Sequence, residues 1–350
     1  MRSAKPQRAD RAQSSVVSNY FIICVRKISL TWQKFHFLCH PTFRECSYGF
    51  RPNKSAHQAL SRLNYIIVKE RTQWLVEADI KGFFDHVHHE HLMRFVEHRI
   101  RDSNLLRVIQ RFLKAGILDN GVFCASDEGT PQGGLVSPVL ANIYLHYVLD
   151  LWFEKRFAKG CKGKAHLVRY ADDFVGCFEY EADARSFEQA LKARLAQFAL
   201  EVEPTKTALI RFGDLAPALC KRDGDRRPRT FNFLGFTHYI ALKRGRAKLG
   251  RKTQRERVSK KLTALGAQLK ALRIEGTRAM RECVRMHVQG HIQYFGVSGN
   301  GRSVGTYVFR VGRLLLKWLN RRSGRRSFSD TRYYAWLITW LPRPRIVHAL

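Results

Sequence analysis

The chain has 350 residues, 45% hydrophobic and 12% aromatic, enough apolar content to bury a sizeable core, which excludes a disordered tail and predicts two or three domains. Lys and Arg number 62 against 29 Asp and Glu, and the net charge of +33 is spread along the whole length, so nucleic acid is the expected partner. No apolar run reaches the ~18–20 residues of a membrane-spanning helix, and the eight cysteines are scattered without a C-x-x-C pair, so neither a membrane partner nor a zinc or redox centre is expected.

In chain order, residues 1–42 show no repeated period, and the apolar stretch Val16 to Val25 is interrupted by Ser18 and Asn19, so it does not read as a signal peptide. The run WLVEAD, Trp74 to Asp79, reads as a short buried strand, followed by a turn at Gly82 and helices over His89 to Arg99 and Ser103 to Lys114. A glycine-bearing loop with a strand pair covers Gly116 to Gly129, and a longer helix starts after Ser137-Pro138 and runs to about Phe157. The apolar segments His166 to Tyr170 and Phe174 to Phe178 flank Ala171-Asp172-Asp173 and predict a β-hairpin with the acidic pair at its tip. A helix over Ala182 to Leu200 precedes strands near Thr207 to Phe212 and Phe231 to Leu242, in a sheet expected to be antiparallel. Beyond Arg251 the pattern turns helical, with Leu262, Leu265, Leu269 and Leu272 on one stripe and Val311, Leu314, Leu315 and Trp318 on another. The dense cationic segment Arg321 to Arg326 is expected to be an exposed loop.

Asp79 at the end of a buried strand and Asp172 and Asp173 at a hairpin tip are positioned to share one carboxylate cluster. Oxygen ligands of this kind suit hard divalent cations, and a pair of Mg²⁺ ions about 3.5–4 Å apart supports nucleotidyl transfer. Turns favour Asp for their own sake, so the pair alone does not decide the matter. Asp85 reads as a cap for the next helix, and His86, His88, His89 and His91 around Glu90 read as helix surface rather than a metal site.

The segment LVRYADDFV, Leu167 to Val175, resembles the YADD motif of reverse transcriptases. Further blocks are similar, in order, to those of group II intron reverse transcriptases and maturases: FRECSYGFRPNKSAHQAL (43–60), WLVEADIKGFFDHVHHEHL (74–92), GTPQGGLVSPVLANIYLHYVL (129–149), EPTKT (203–207) and FNFLGF (231–236). The C-terminal runs YFGVSGNGRSVGTYVFR (294–310) and WLPRPRIVH (340–348) resemble the thumb and maturase region of the bacterial proteins.

The resemblance implies an α+β fold: a right-hand polymerase palm with an antiparallel sheet and helices, partial or altered fingers, and an α-helical thumb/maturase domain. The expected division is a diverged or truncated segment at 1–42, fingers and palm at 43–242, and a basic helical domain at 243–350. The finger block with a run like RPLGIP that precedes GFRP in the family is not found, and no H-N-H endonuclease arrangement follows the helices.

By the same resemblance Asp79, Asp172 and Asp173 are catalytic and hold two Mg²⁺ ions, with Mn²⁺ as a substitute. Phe84 excludes a ribose 2′ hydroxyl, Gln132, Gly133 and Lys206 bind the nucleotide, and Leu234 and Gly235 position the primer. The implied partners are group II intron RNA, an RNA template, a DNA primer or target and deoxynucleoside triphosphates, in the bacterial cytoplasm. The alternative is a noncatalytic RNA-binding maturase whose altered fingers have lost nucleotide binding.

Overall fold

The computed structural model describes residues 43–114, 117–119, 122–124, 129, 136–243, 246–321 and 328–350. Helix α1 (Ala56–Lys69) begins at Ser55, whose hydroxyl accepts from the Gln58 amide while the Gln58 side chain accepts from the Ser55 amide, a reciprocal capping box. Strand β1 (Trp74–Ala78) leads through a 3₁₀ turn, Phe83–Asp85, into α2 (His89–Glu97). Asp85 does not cap α2 as expected: it belongs to the 3₁₀ turn, and His88 takes the cap position without a side-chain cap hydrogen bond. The Asp102 carboxylate accepts from the Asn104 and Leu105 amides and starts α3 (Ser103–Leu113).

Strands β2 (Ile117–Asp119) and β3 (Val122–Cys124) pair as the expected hairpin. Helix α4 (Ser137–Leu145) has Pro138 in its first turn and continues through π-helical turns at His146–Asp150 and Phe153–Phe157, reaching the expected end. Strands β4 (Ala165–Tyr170) and β5 (Asp173–Phe178) form the predicted hairpin. Helix α5 (Glu181–Ala196) stops short of Leu200, with Ala199 turning left-handed at φ 55° beyond its end.

Strand β6 (Ala208–Arg211) and helix α6 (Ala216–Arg222) follow. The strand expected over Phe231 to Leu242 is broken at Leu234-Gly235 into β7 (Phe231–Phe233) and β8 (Phe236–Lys243), and an unexpected partner, β9 (Arg246–Thr253), completes a three-stranded sheet. Helices α7 (Arg255–Ala271), α8 (Thr277–Phe295), α9 (Gly301–Leu319) and α10 (Asp330–Leu337) close the chain. Their predicted stripes point inward, with Leu265, Leu269, Val311 and Leu315 buried and Leu262, Leu272, Leu314 and Trp318 packed at the edge. Beyond Arg321 the cationic segment lies outside the described residues. Among the described residues no helix is long and apolar enough to cross a membrane.

The larger sheet has the order β4-β5-β1-β6, every pair antiparallel. Because side chains alternate along a strand, its two faces feed two separate cores. Leu75, Val168, Val175 and Cys177 join α1, β7–β9 and helices α7–α10. Val76, Ala78, Leu167, Phe174 and Phe178 join α2–α5.

Candidate active site

The register of β1 on β5 pairs Glu77 with Val175 and Ala78 with Phe174, so the next step places Asp79 across from Asp173 at the end of the sheet. Period-two alternation sends Glu77, Asp79 and Asp173 to the face that carries Leu75 and Val175, facing the β7–β9 sheet. There they line a cleft of about 700 Å³ with Lys206, Leu234, Gly235 and the start of α7. Asp173 is the first residue of β5, paired with Tyr170, so only Ala171 and Asp172 form the tip. Ala171 has φ 58° while Asp172 does not share the positive φ, the pattern of a type II′ two-residue hairpin.

That tip is held from behind by residues the sequence did not single out. Arg169, with no exposure, makes a two-pronged ion pair with the fully buried Asp150, at 2.7 Å from Nε and 2.6 Å from Nη2. Its remaining donors reach Ala171 O at 2.7 Å, Asn142 Oδ1 at 3.0 Å and Ser47 Oγ at 2.9 Å. Residues 46–48 run along β4, with Arg169 N donating to Cys46 O and Tyr48 N to Arg169 O. Next to them, a Cβ on Gly49 would lie 2.3 Å from Ala171 N, so only glycine lets this segment lie against the tip. The signal available in the sequence was an Arg alternating inward in a buried strand, which demands a buried counter-charge without naming it.

Burial is the largest influence on the carboxylates. It pushes Asp173 up to about 7, with repulsion from Asp79, Asp172 and Glu77 adding to it and the Leu234 amide, donating at 3.4 Å, opposing it. Asp172 is also raised, first by burial and then by the Asp79 charge. Glu77, unassigned in the sequence reading, is raised to about 7 by burial and accepts from Asn232 N at 3.1 Å. A cation at this end of the sheet would offset the cost of holding several buried negative charges together.

Lys206 closes the 3₁₀ turn Pro204–Lys206, whose preceding residue Glu203 donates its amide to Asp79 O at 2.8 Å. Its ammonium lies 2.5 Å from Asp79 Oδ2, and this hydrogen bond is the first cause of its raised pKa. Leu234 and Gly235 both have positive φ, 51° and 81°, as a type I′ turn between β7 and β8 requires. The turn is tied down by Asp173, by Tyr294 OH donating to Leu234 O at 3.0 Å, and by Gln254 N donating to Gly235 O at 3.1 Å. Phe84 is half-buried in the turn after Asp79 and meets Phe83 edge-on. Gly129 N donates to Val87 O, and His89 Nε2 donates to Gly129 O at 2.6 Å, which fixes the start of the GTPQGG loop beside the Phe84 turn. Gln132 and Gly133 lie outside the described residues.

The donor set is all oxygen, which fits a hard divalent ion. In this conformation, however, no three His, Cys, Asp or Glu side chains among the described residues are gathered closely enough to hold a metal ion. The Asp79 carboxylate is engaged by Lys206 instead.

Residues 22–238 match the reverse transcriptase (RNA-dependent DNA polymerase) family. The chain is 39% identical over 162 residues to Protein YkfC of Escherichia coli, covering 38% of this chain and 42% of that protein. It is 45% identical over 115 residues to the group II intron-encoded protein LtrA of Lactococcus lactis, covering 32% and 19%. Over 114 residues it is 42% identical to a 91 kDa protein in the cob intron of Schizosaccharomyces pombe, covering 33% and 14%. The matched stretches span less than half the length of each of these relatives. The chain therefore belongs to the reverse transcriptase family, and its relatives include group II intron-encoded proteins.

Proposed function

We propose that the protein is an RNA-directed DNA polymerase of a group II intron that also binds intron RNA to assist splicing and mobility. The observation that carries this reading is the β1–β5 register, which brings Asp79 opposite Asp173 on the cleft face, with Asp172 on the adjoining tip. Asp79, Asp172 and Asp173 would hold two Mg²⁺ ions, or Mn²⁺ in their place; when bound, these activate a primer 3′ hydroxyl and stabilise the pyrophosphate leaving group.

The residues of the chain supply the rest. Arg169 and Asp150 hold the tip so that Asp172 keeps its place. Lys206 guards the Asp79 charge and, on exchanging that carboxylate for a triphosphate, neutralises the nucleotide. The Leu234-Gly235 turn presents its backbone to the primer end. Phe84 blocks a 2′ hydroxyl and so selects deoxynucleotides, while Gln132 and Gly133 lie against the incoming base. The partners in this reading are intron RNA, an RNA template, a DNA primer or target and deoxynucleoside triphosphates, in a bacterial cytoplasm.

Primer extension on an RNA template with Mg²⁺ tests the assignment, comparing the wild type with Asp172→Ala. Equal product from both would remove the carboxylates from catalysis. One observation favours a second reading, the noncatalytic RNA-binding maturase: the Asp79 carboxylate is paired with the Lys206 ammonium. That reading predicts no DNA product from the wild type together with faster splicing of a cognate intron.

A further inference from the structure

The helices that cover the far side of the larger sheet leave a groove of about 620 Å³ between α5 and the π-helical continuation of α4. It is lined by Tyr147, Leu151, Trp152, Lys155, Arg156 and Arg194, with no carboxylate in its wall. Because α2–α5 pack on the face carrying Val76 and Phe174, and the acidic cleft opens on the face carrying Leu75 and Val175, the sheet separates the two.

We propose that this groove binds the phosphate backbone of an RNA strand, as a contact distinct from the carboxylate cleft. The inference rests on the reading of the chain as an intron-type reverse transcriptase for the choice of RNA, and on the groove for the rest.

Arg194 is built into the wall rather than waving in solvent. Its Nε donates to Val148 O at 3.0 Å, its Nη2 to Tyr147 O at 3.2 Å, and its guanidinium lies over the Phe198 ring at 4.5 Å. The two carbonyls it binds belong to a π-helical turn, a distortion that recurs at functional sites. No acid among the described residues balances its charge: burial, then the proximity of Arg156, depresses its pKa. Arg156 is exposed and has no carboxylate partner among the described residues. Lys155 is 3.9 Å from Glu154, but Glu154 is already engaged by Arg44. Three cations therefore converge on a groove whose electrostatics are incomplete without an anion, and a fixed guanidinium loses little freedom on binding phosphate.

A strand rather than a single phosphate suits the length of a groove that runs between two helices. The ribose fits as well: Gln197, at the rim, uses its amide oxygen to accept from Arg194 Nη1 at 3.3 Å, which leaves its NH₂ group for a 2′ hydroxyl.

The test uses the full chain with the cleft first saturated by unlabelled primer–template hybrid, and follows binding of a labelled, 4-thiouridine-containing oligoribonucleotide as salt is raised. The wild type is expected to retain binding and to crosslink within residues 147–156 or 190–197. The double variant Lys155→Gln/Arg156→Gln, altered only at exposed positions, is expected to lose the crosslink and to flatten the slope of log K against log salt by about 1.4, roughly 0.7 per phosphate contact removed. Primer extension by the double variant on a short hybrid should stay at the wild-type level. An unchanged slope, complete displacement of the RNA by the hybrid, equal retention of a DNA oligonucleotide, or equal competition by polyglutamate would each overturn the proposal. If the wild type fails to extend a primer but the slope still flattens, the polymerase reading fails while the groove assignment stands.

Discussion

Replacing Asp150 by Ala attacks the hairpin tip without touching any residue of the cleft. Both members of the Arg169–Asp150 pair have no exposed side-chain surface, and their two hydrogen bonds are 2.7 and 2.6 Å long. The variant strands a guanidinium in the core, and removing one partner of a buried pair costs about 3–5 kcal/mol. Since a folded chain typically has only about 5–15 kcal/mol in total, this is a large fraction of its stability. Urea unfolding of the wild type and variant should show an unchanged slope and a midpoint lowered by that free energy divided by the slope. The double variant Asp150→Leu/Arg169→Met removes both charges and should regain most of the loss, because well-packed apolar replacements of buried pairs are often neutral. It should nevertheless extend primers poorly, since the donor to Ala171 O is gone. A destabilisation below about 1 kcal/mol for Asp150→Ala, or a double variant no more stable than the single, would refute the assigned role of the pair.

Gly49→Ala drives a Cβ to 2.3 Å from Ala171 N and 3.0 Å from Tyr170 C, against backbone that cannot rotate away. It should cost about 1–3 kcal/mol in unfolding measurements and lower primer extension by more than stability explains. Lys206→Ala removes an exposed pair, so thermal stability should change by no more than about 1 kcal/mol, while the KM for deoxynucleotide rises. For pH, burial raises Asp173 to about 7, so between about 4 and 7 the folded chain binds more protons than the unfolded one. This contribution therefore weakens the metal-free fold as pH rises through that window. In EDTA, Asp173→Asn should gain stability relative to the wild type from pH 4 to pH 7, and Mg²⁺ should shrink the gap; a pH-independent difference would contradict the shift. Burial has the opposite consequence at His238 and His291, each lowered to about 3, since the unfolded chain then binds more protons below about 6.5 and stability falls on acidification. His291→Gln should flatten that acid limb, measured as melting temperature against pH.

Local signals carried much of the architecture. Short apolar runs at Trp74 to Asp79, His166 to Tyr170 and Phe174 to Phe178 predicted the strands that hold the carboxylates, and 3.6-residue stripes predicted the C-terminal helices, whereas helix α1 was not expected. The signals failed where a neighbour overrode them. Leu234 gives no warning of a type I′ turn, because a Leu reaches φ 51° only when Asp173, Tyr294 and the end of β9 hold its turn in place. Strand β9 was not expected because it has no apolar run to mark it; Leu249, Arg251 and Thr253 are buried along it only because β8 pairs with it. Asp85 was read as a cap from its place in the chain, whereas the 3₁₀ turn absorbed it.

The sequence by itself determined which carboxylates, Asp79, Asp172 and Asp173, stand at the ends of buried strands, since strand ends and turn chemistry are written in adjacent residues. Only the tertiary structure decided that Asp79 faces Asp173 across an antiparallel register, and that Glu77 shares their side of the sheet. It alone paired Lys206 with Asp79, 127 positions away, and found for Arg169 its buried counter-charge in Asp150. Such partners are chosen by register and by the need to satisfy every buried charge, and neither leaves a mark at the residue itself.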